Sequence, residues 1–253
     1  MKKNKITYAI TVSTESFELD RLLKQLSTIS DINDHQVLIQ YDIDTVLESV
    51  MHVIYKYANT FKESKVIGCS LNKHFANFKN NLFDHSTGDW IFQIDADEYL
   101  EDDLLNKLSY FINESKLDDV DVILLPRINV VENITQQHIE HWRWRVYSLP
   151  EYIRRDSINN INIEHYRLLV LYNLIIYENN DMIEYYIPIL NWYDHQWRLY
   201  RNTDHLRWIN SVHEVLDGTT KIAAIEDVKW SLVHIKGIDK QVMQNNLYQS
   251  MQV

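Results

Sequence analysis

Apolar residues occur in short blocks separated by polar turns, and the blocks alternate between strand-like and helix-like spacing. Ile6 to Val12 is a short apolar and β-branched run that predicts a first strand. Leu19, Leu22, Leu23 and Leu26 then recur at helical spacing, predicting a helix over about residues 15–28 that lies on a sheet, with Ser13 and Thr14 as its caps. Val37 to Tyr41 predicts a second strand, and residues 45–58 a helix with Val46, Val50, Val53 and Tyr57 on one face. Lys65 to Cys69 is a third short strand, followed by a helix over 73–86. Trp90, Ile91, Phe92 and Ile94 form a further apolar run after the Gly88-Asp89 turn; it is too short and too β-branched for a helix, so it reads as a buried strand. A helix over 101–115 and a strand over Asp121 to Leu125 complete the first half. Strands alternating with helices predict an α/β fold with a mostly parallel, doubly wound sheet flanked by helices.

The chemistry gathers at the end of the 90–94 strand, where Asp95, Asp97 and Glu98 lie within four positions. The crevice outside the carboxyl ends of such strands is where open α/β sheets bind ligands. Closely packed carboxylates repel one another and lose hydration, so a hard divalent cation is their natural complement. A solvated turn opening an acidic helix accounts for the same residues equally well when they are taken alone.

The surrounding text changes that balance. Phe75-Ala76-Asn77-Phe78-Lys79-Asn80, Gly88-Asp89-Trp90 and Asp95-Ala96-Asp97-Glu98 together resemble the nucleotide-sugar half of family 2 glycosyltransferases, which have the GT-A fold. A second constellation supports the same resemblance: Gln196-Trp197-Arg198-Leu199-Tyr200-Arg201, then Trp208, then Val212-His213-Glu214 and Leu216-Asp217-Gly218, with Leu232-Val233-His234 downstream. This combination is similar to members of the family found in T4-like bacteriophages and in bacterial polysaccharide clusters.

The resemblance implies a metal-dependent, inverting transfer of a sugar from a nucleotide diphosphate, with a UDP-sugar as donor, to a hydroxyl of a glycan or other acceptor. Asp95 and Asp97, completed by His234, are then the ligands of Mn²⁺ or Mg²⁺, and an imidazole ligand favours Mn²⁺. Thr11, Asp42, Asp44, Lys79, Asn80, Asp95, Arg198 and Arg201 are the expected donor-binding residues, and Glu214, with His213 beside it, is the expected general base. Asp42 or Asp44 serves equally well as a helix cap, Asn80 as a loop tie, and the two arginines as ion-pair partners of acidic residues. Two other outcomes stay open: transfer to modified bases of phage DNA, and an inactive sugar-binding or scaffold protein of the same fold. A nucleotidyltransferase is disfavoured, because its Gly-rich N-terminal loop is missing.

Length and charge narrow the picture further. At 253 residues the chain suits one GT-A domain, with a nucleotide-sugar half over 1–125 and an acceptor half over 126–253. Residues 148–187 depart from the family text and read as an insertion of helices or a hairpin on the acceptor side. The net charge of −11 argues against a broad phosphate-binding surface, so nucleic acid enters only as an acceptor. A single cysteine, Cys69, excludes an internal disulfide and fits a reducing compartment. No apolar stretch is long enough to span a bilayer, and the Lys-rich start leads directly into a strand. The expected location is therefore cytoplasmic, in a host cell if the chain is phage-encoded. His138 and His141 stand three apart on an expected helix, but no third ligand accompanies them.

Overall fold

The computed structural model describes residues 3–115 and 117–251, with side chains through residue 246. The chain begins β1 (Ile6–Val12), α1 (Ser16–Leu26), β2 (Gln36–Asp42), α2 (Glu48–Tyr57), β3 (Ser64–Cys69), α3 (Phe75–Asp84) and β4 (Trp90–Asp95). It continues through β5 (Glu98–Leu100), α4 (Asp102–Glu114), β6 (Val122–Glu132), α5 (Gln136–Trp142), β7 (Val146–Tyr147), β8 (Ile153–Ser157), α6 (Ile163–Leu171), β9 (Ile175–Asn179) and β10 (Met182–Tyr186). The last elements are β11 (Ile189–Arg201), β12 (Arg207–Ile209), β13 (Val215–Asp217), β14 (Ile222–Ala224), β15 (Leu232–Gly237) and α7 (Ile238–Met251). Two compact units result: residues up to Pro126 with His195–Leu232, and Arg127–Asp194 with Val233–Leu247. Among the described residues, no helix is long and apolar enough to cross a membrane.

In the first unit β3, β2, β1 and β4 are parallel neighbours in that order, and β11 joins β4 antiparallel. Strand periodicity places alternate residues on opposite faces. Ile6, Tyr8 and Ile10 of β1 and Trp90, Phe92 and Ile94 of β4 enter one core with the leucines of α1 and α4. Ala9 and Ile91 enter a second core with Leu82 and Phe83 of α3, and with Trp208 and Leu216 of the β12–β13 hairpin. Both faces are therefore covered, which is why these strands read as nearly continuous apolar runs. Thr11, Asp42, Asp95 and Arg198 share the parity of Ala9, Leu38, Ile91 and Tyr200, so the polar strand ends belong to the α3-and-hairpin face.

Local signals determine the boundaries. The turn before β4 is fixed by Thr7, whose hydroxyl oxygen accepts from the Thr87 and Gly88 amides at 3.2 and 2.9 Å. A Cβ on Gly88 would stand 2.5 Å from the Thr7 nitrogen, so only glycine lets the two backbones approach this closely. α1 is not capped by Ser13 or Thr14 as expected. Instead the Glu15 carboxylate accepts from both of their amides, at 3.0 and 2.8 Å, and the helix opens at Ser16. α2 starts three residues later than expected, with Leu47 before it and no side-chain cap, so neither Asp42 nor Asp44 caps it.

Residues 148–187, expected to be an insertion, lie in the second unit, and the elements there are now defined. This stretch contains one helix, α6, and also an antiparallel sheet in the order β8-β10-β9 that sequence periodicity does not resolve. The apolar run Leu168 to Tyr177 looks uniform but divides at Tyr172-Asn173, where Asn173 takes φ 54°. Leu168 and Leu169, in the last turn of α6, enter the core, and Ile175 begins β9. A left-handed residue stops a helix, and asparagine tolerates that conformation better than most.

Candidate functional site in the first unit

Asp95 closes β4 and pairs in register with Thr11 of β1. The Thr11 hydroxyl donates to Asp95 Oδ1 at 2.7 Å, and Gln93 Nε2 donates to the same oxygen at 3.3 Å. The other oxygen, Oδ2, pairs with Arg198 Nη2. Arg198 is 3 % exposed and also reaches Glu98 Oε1 at 2.7 Å, while Glu98 Oε2 accepts from the Asp95 amide at 3.0 Å. Burial alone would raise the Asp95 pKa; the positive charges of Arg198 and Lys79 overcome it and hold the group at about 2. Asp97 follows the strand end, partly exposed.

α3 and the hairpin supply the facing side chains. Gln40 of β2 anchors α3, donating to the Phe78 carbonyl at 2.7 Å and accepting from Asn81 at 2.7 Å. This presents Lys79, whose ammonium stands 3.2 Å from Glu214 and 4.4 Å from the centre of the Trp208 ring. Burial lowers the Lys79 pKa below the usual lysine range, while Glu214 acts in the opposite direction. Glu214 and His213 lie in the five-residue connection of the β12–β13 hairpin, where His213 is exposed with φ 55°. The Phe75 amide donates to the Ser211 carbonyl at 3.0 Å, which ties that connection to the start of α3.

Several expected donor contacts have other roles. Asn80 brackets the backbone of Trp208, donating to its carbonyl and accepting from its amide, both at 2.9 Å, and so ties the hairpin to α3. Asp42 is 5 % exposed; it accepts from the Thr45 hydroxyl at 2.6 Å and from the Leu71 amide at 3.1 Å, joining the loops after β2 and β3. Asp44 is exposed and is bonded by the Ser70 hydroxyl. Arg201 is a correction: it pairs in register with Trp90, at the opposite end of β4 from Asp95, about 17 Å away at the usual rise per residue. Its parity also puts it on the other sheet face, stacked on Trp90, where it donates to the carbonyls of Leu117 and Val120 at 2.7 and 3.2 Å. Arg198 does lie beside Asp95, but as an ion-pair partner, not as an open phosphate contact.

The metal expectation changes in part. Both oxygens of Asp95 are occupied by protein partners, so Asp95 positions the turn and is a poor direct ligand. Asp97 fits better, since diphosphate sites commonly hold Mg²⁺ through one or two carboxylates with phosphate and water oxygens. Among the described residues, no three His, Cys, Asp or Glu side chains gather to hold an ion by themselves. His234 belongs to the second unit, 6 % exposed, with Nδ1 at 3.4 Å from Asn129 Oδ1. Asn129 and Arg127 both donate to Asp194 Oδ2, at 2.7 and 2.9 Å. This network was not foreseen, although Arg127 and Asn129 are two apart on one strand and therefore share a face. His138 is a capping residue for α5 beside Thr135, not a metal ligand.

The sequence model described as Glycosyl transferase family 2 matches residues 48–171, which include Lys79, Asp95 and Asp97. Residues 48–171, just under half of the chain, thus match a family 2 glycosyltransferase domain. Solved structures show the same GT-A architecture. The S. aureus TarS 1-349 crystal structure in complex with UDP aligns with a TM-score of 0.54 at 13 % identity, covering 98 % of this chain and 65 % of that one. The complex of the same protein with UDP-GlcNAc aligns with a TM-score of 0.53 at 15 % identity, covering 92 % and 58 %. This chain thus spans less than two thirds of the length of those proteins. No curated protein matches it at a significant level.

Proposed function

We propose that this chain is an inverting glycosyltransferase that takes a sugar from a nucleotide diphosphate, with a UDP-sugar as donor, and transfers it to a hydroxyl of a glycan. The observation that carries this reading is the charge balance at the carboxyl end of β4. Asp95, Asp97, Glu98 and Glu214 face two cations, Lys79 and Arg198, leaving two negative charges. A diphosphate entering such a crevice needs additional positive charge. A divalent ion on Asp97 would supply it, acting as a Lewis acid towards the departing diphosphate. The family match and the TarS complexes with UDP and UDP-GlcNAc support the same donor class.

In this reading Arg198 and Thr11 fix Asp95, so that the turn bearing Asp97 keeps its place. Lys79, half-buried and less hydrated than a surface lysine, attracts the diphosphate. Glu214 is the base for the acceptor hydroxyl; the ion pair with Lys79 orients it, and His213 beside it positions the acceptor. The net charge of −11 favours a saccharide over DNA as acceptor.

A thermal-shift screen of UDP-, GDP-, dTDP- and CMP-sugars, each with Mn²⁺, Mg²⁺ or EDTA, tests this, because a ligand that binds only the folded state raises Tm. A UDP-sugar should give the largest shift, and only with metal. A screen in which no nucleotide sugar stabilises the chain contradicts the reading.

A further inference from the structure

The three-stranded sheet of the second unit has one buried and one open face. Ile183 and Tyr185 of β10 point into a core with Leu169 and Leu174. The alternate residues face outwards, and the register aligns them in rows across all three strands. Arg155, Glu184 and Tyr177 form one row, and Ser157, Met182 and Asn179 form the next. A groove of about 330 Å³ lies over these rows, lined by Arg155, Tyr177, Asn179, Met182, Ile183 and Glu184. Tyr177 is 51 % exposed and Met182 39 % exposed.

We propose that this groove is a saccharide-binding platform, separate from the donor site of the first unit. A pyranose ring has apolar C–H faces and a rim of hydroxyls. The electron-rich face of an exposed tyrosine complements the C–H face, while planar polar groups around it bind the rim. The rows supply such groups: a guanidinium, a carboxylate and an amide beside the Tyr177 ring, with strands about 4.8 Å apart. Arg155 and Glu184 lie 3.5 Å apart and neutralise each other, so the groove selects neither an anion nor a cation. Their pairing is exposed and contributes little to stability, so both groups can turn towards hydroxyls at little cost. A nucleic acid is disfavoured by Glu184 and by the charge of −11. A purely apolar partner would leave Arg155, Glu184 and Asn179 desolvated without bonds. The core behind the sheet keeps the platform formed before any ligand arrives.

From the preceding section this proposal takes only that the acceptor is a saccharide; the platform would hold a longer glycan while its end is modified elsewhere. The test uses the whole chain with maltotetraose, cellotetraose, chitotetraose and mannotetraose, read by saturation-transfer NMR and calorimetry. At least one of these should bind the parent. Tyr177→Ala should weaken that binding by about tenfold or more, the scale of one lost ring contact, and Tyr177→Phe should retain it. Arg155→Ala should weaken it severalfold. Tm and UDP affinity should be unchanged in every variant, since these side chains are exposed and belong to the other unit. The proposal fails if none of the four oligosaccharides binds, or if Tyr177→Ala binds them as tightly as the parent. It also fails if the chain dimerises in solution and Tyr177→Ala makes it monomeric, because a second copy then occupies the face. A parent that binds UDP but no oligosaccharide overturns the platform and leaves the donor reading intact. A parent that binds an oligosaccharide through Tyr177 but no nucleotide does the reverse.

Discussion

Arg198→Met should lower stability sharply, because Arg198 neutralises two carboxylates in the first unit. Glu98 is 0 % exposed and would remain buried without its cation. Removing one partner of a buried ion pair typically costs about 3–5 kcal/mol. Asp95 gives a separate check on that range. Its fall from 3.8 to about 2 corresponds to roughly 2 kcal/mol at the usual conversion. Its side chain is 36 % exposed, so screening reduces that share to about 1 kcal/mol, and Glu98 accounts for most of the loss. At about 2–4 °C per kcal/mol for a chain of this size, Tm at neutral pH should drop by about 10 °C. The pH dependence has a definite sign. The folded pKa of Asp95 lies below its unfolded value, so its contribution is present above about pH 4 and disappears as pH falls towards 2. The gap between parent and variant should therefore be widest near neutrality and shrink over that acidic window. Calorimetric melts of both proteins across the range would show it. A Tm within about 2 °C of the parent at neutral pH, or a gap that stays constant into acid, would refute the assignment.

Three further outcomes follow from individual contacts. Asn80→Ala removes both bonds to the Trp208 backbone and should cost about 2 kcal/mol in a urea melt, and Asn80→Asp, which keeps only the acceptor, should recover part of it. Arg201→Ala should lower Tm yet leave UDP affinity within error in calorimetry; a selective loss of affinity would restore it to the donor site. Glu214→Gln should lower transfer by about 10²–10⁴ in a UDP-release assay while UDP still binds, whereas His213→Ala should mainly raise the acceptor KM.

Much of the first unit was legible because strand and helix periods were clean. The burial of Leu19, Leu22, Leu23 and Leu26 at 0 % exposure follows directly from their spacing, and the Trp90–Ile94 strand from its short apolar block. The carboxylate turn was also visible, since three acids crowded at the end of a buried strand require compensating positive charge. What a linear reading missed was direction and parity. Arg198 and Arg201 look equivalent in Gln-Trp-Arg-Leu-Tyr-Arg, but β11 is antiparallel to β4, and three residues along a strand change both the face and the end. The hairpin bearing Glu214 was not resolved, because β12 and β13 are only three residues each and carry no sustained alternation. The β8-β10-β9 sheet escaped for a related reason: its open face carries Met182, Tyr177 and Ile153, which mask the period of two.

The most direct test of the account is calorimetric titration of UDP into the parent and into Asp97→Ala, each with Mn²⁺ and again with EDTA. The charge balance at the end of β4 predicts that the parent binds UDP at least about tenfold more tightly with metal than without. Asp97→Ala should lose that difference while melting like the parent, because the carboxylate is partly exposed and follows the strand end. Equal UDP affinity for the parent with and without metal, or a metal effect that survives Asp97→Ala, would contradict the account.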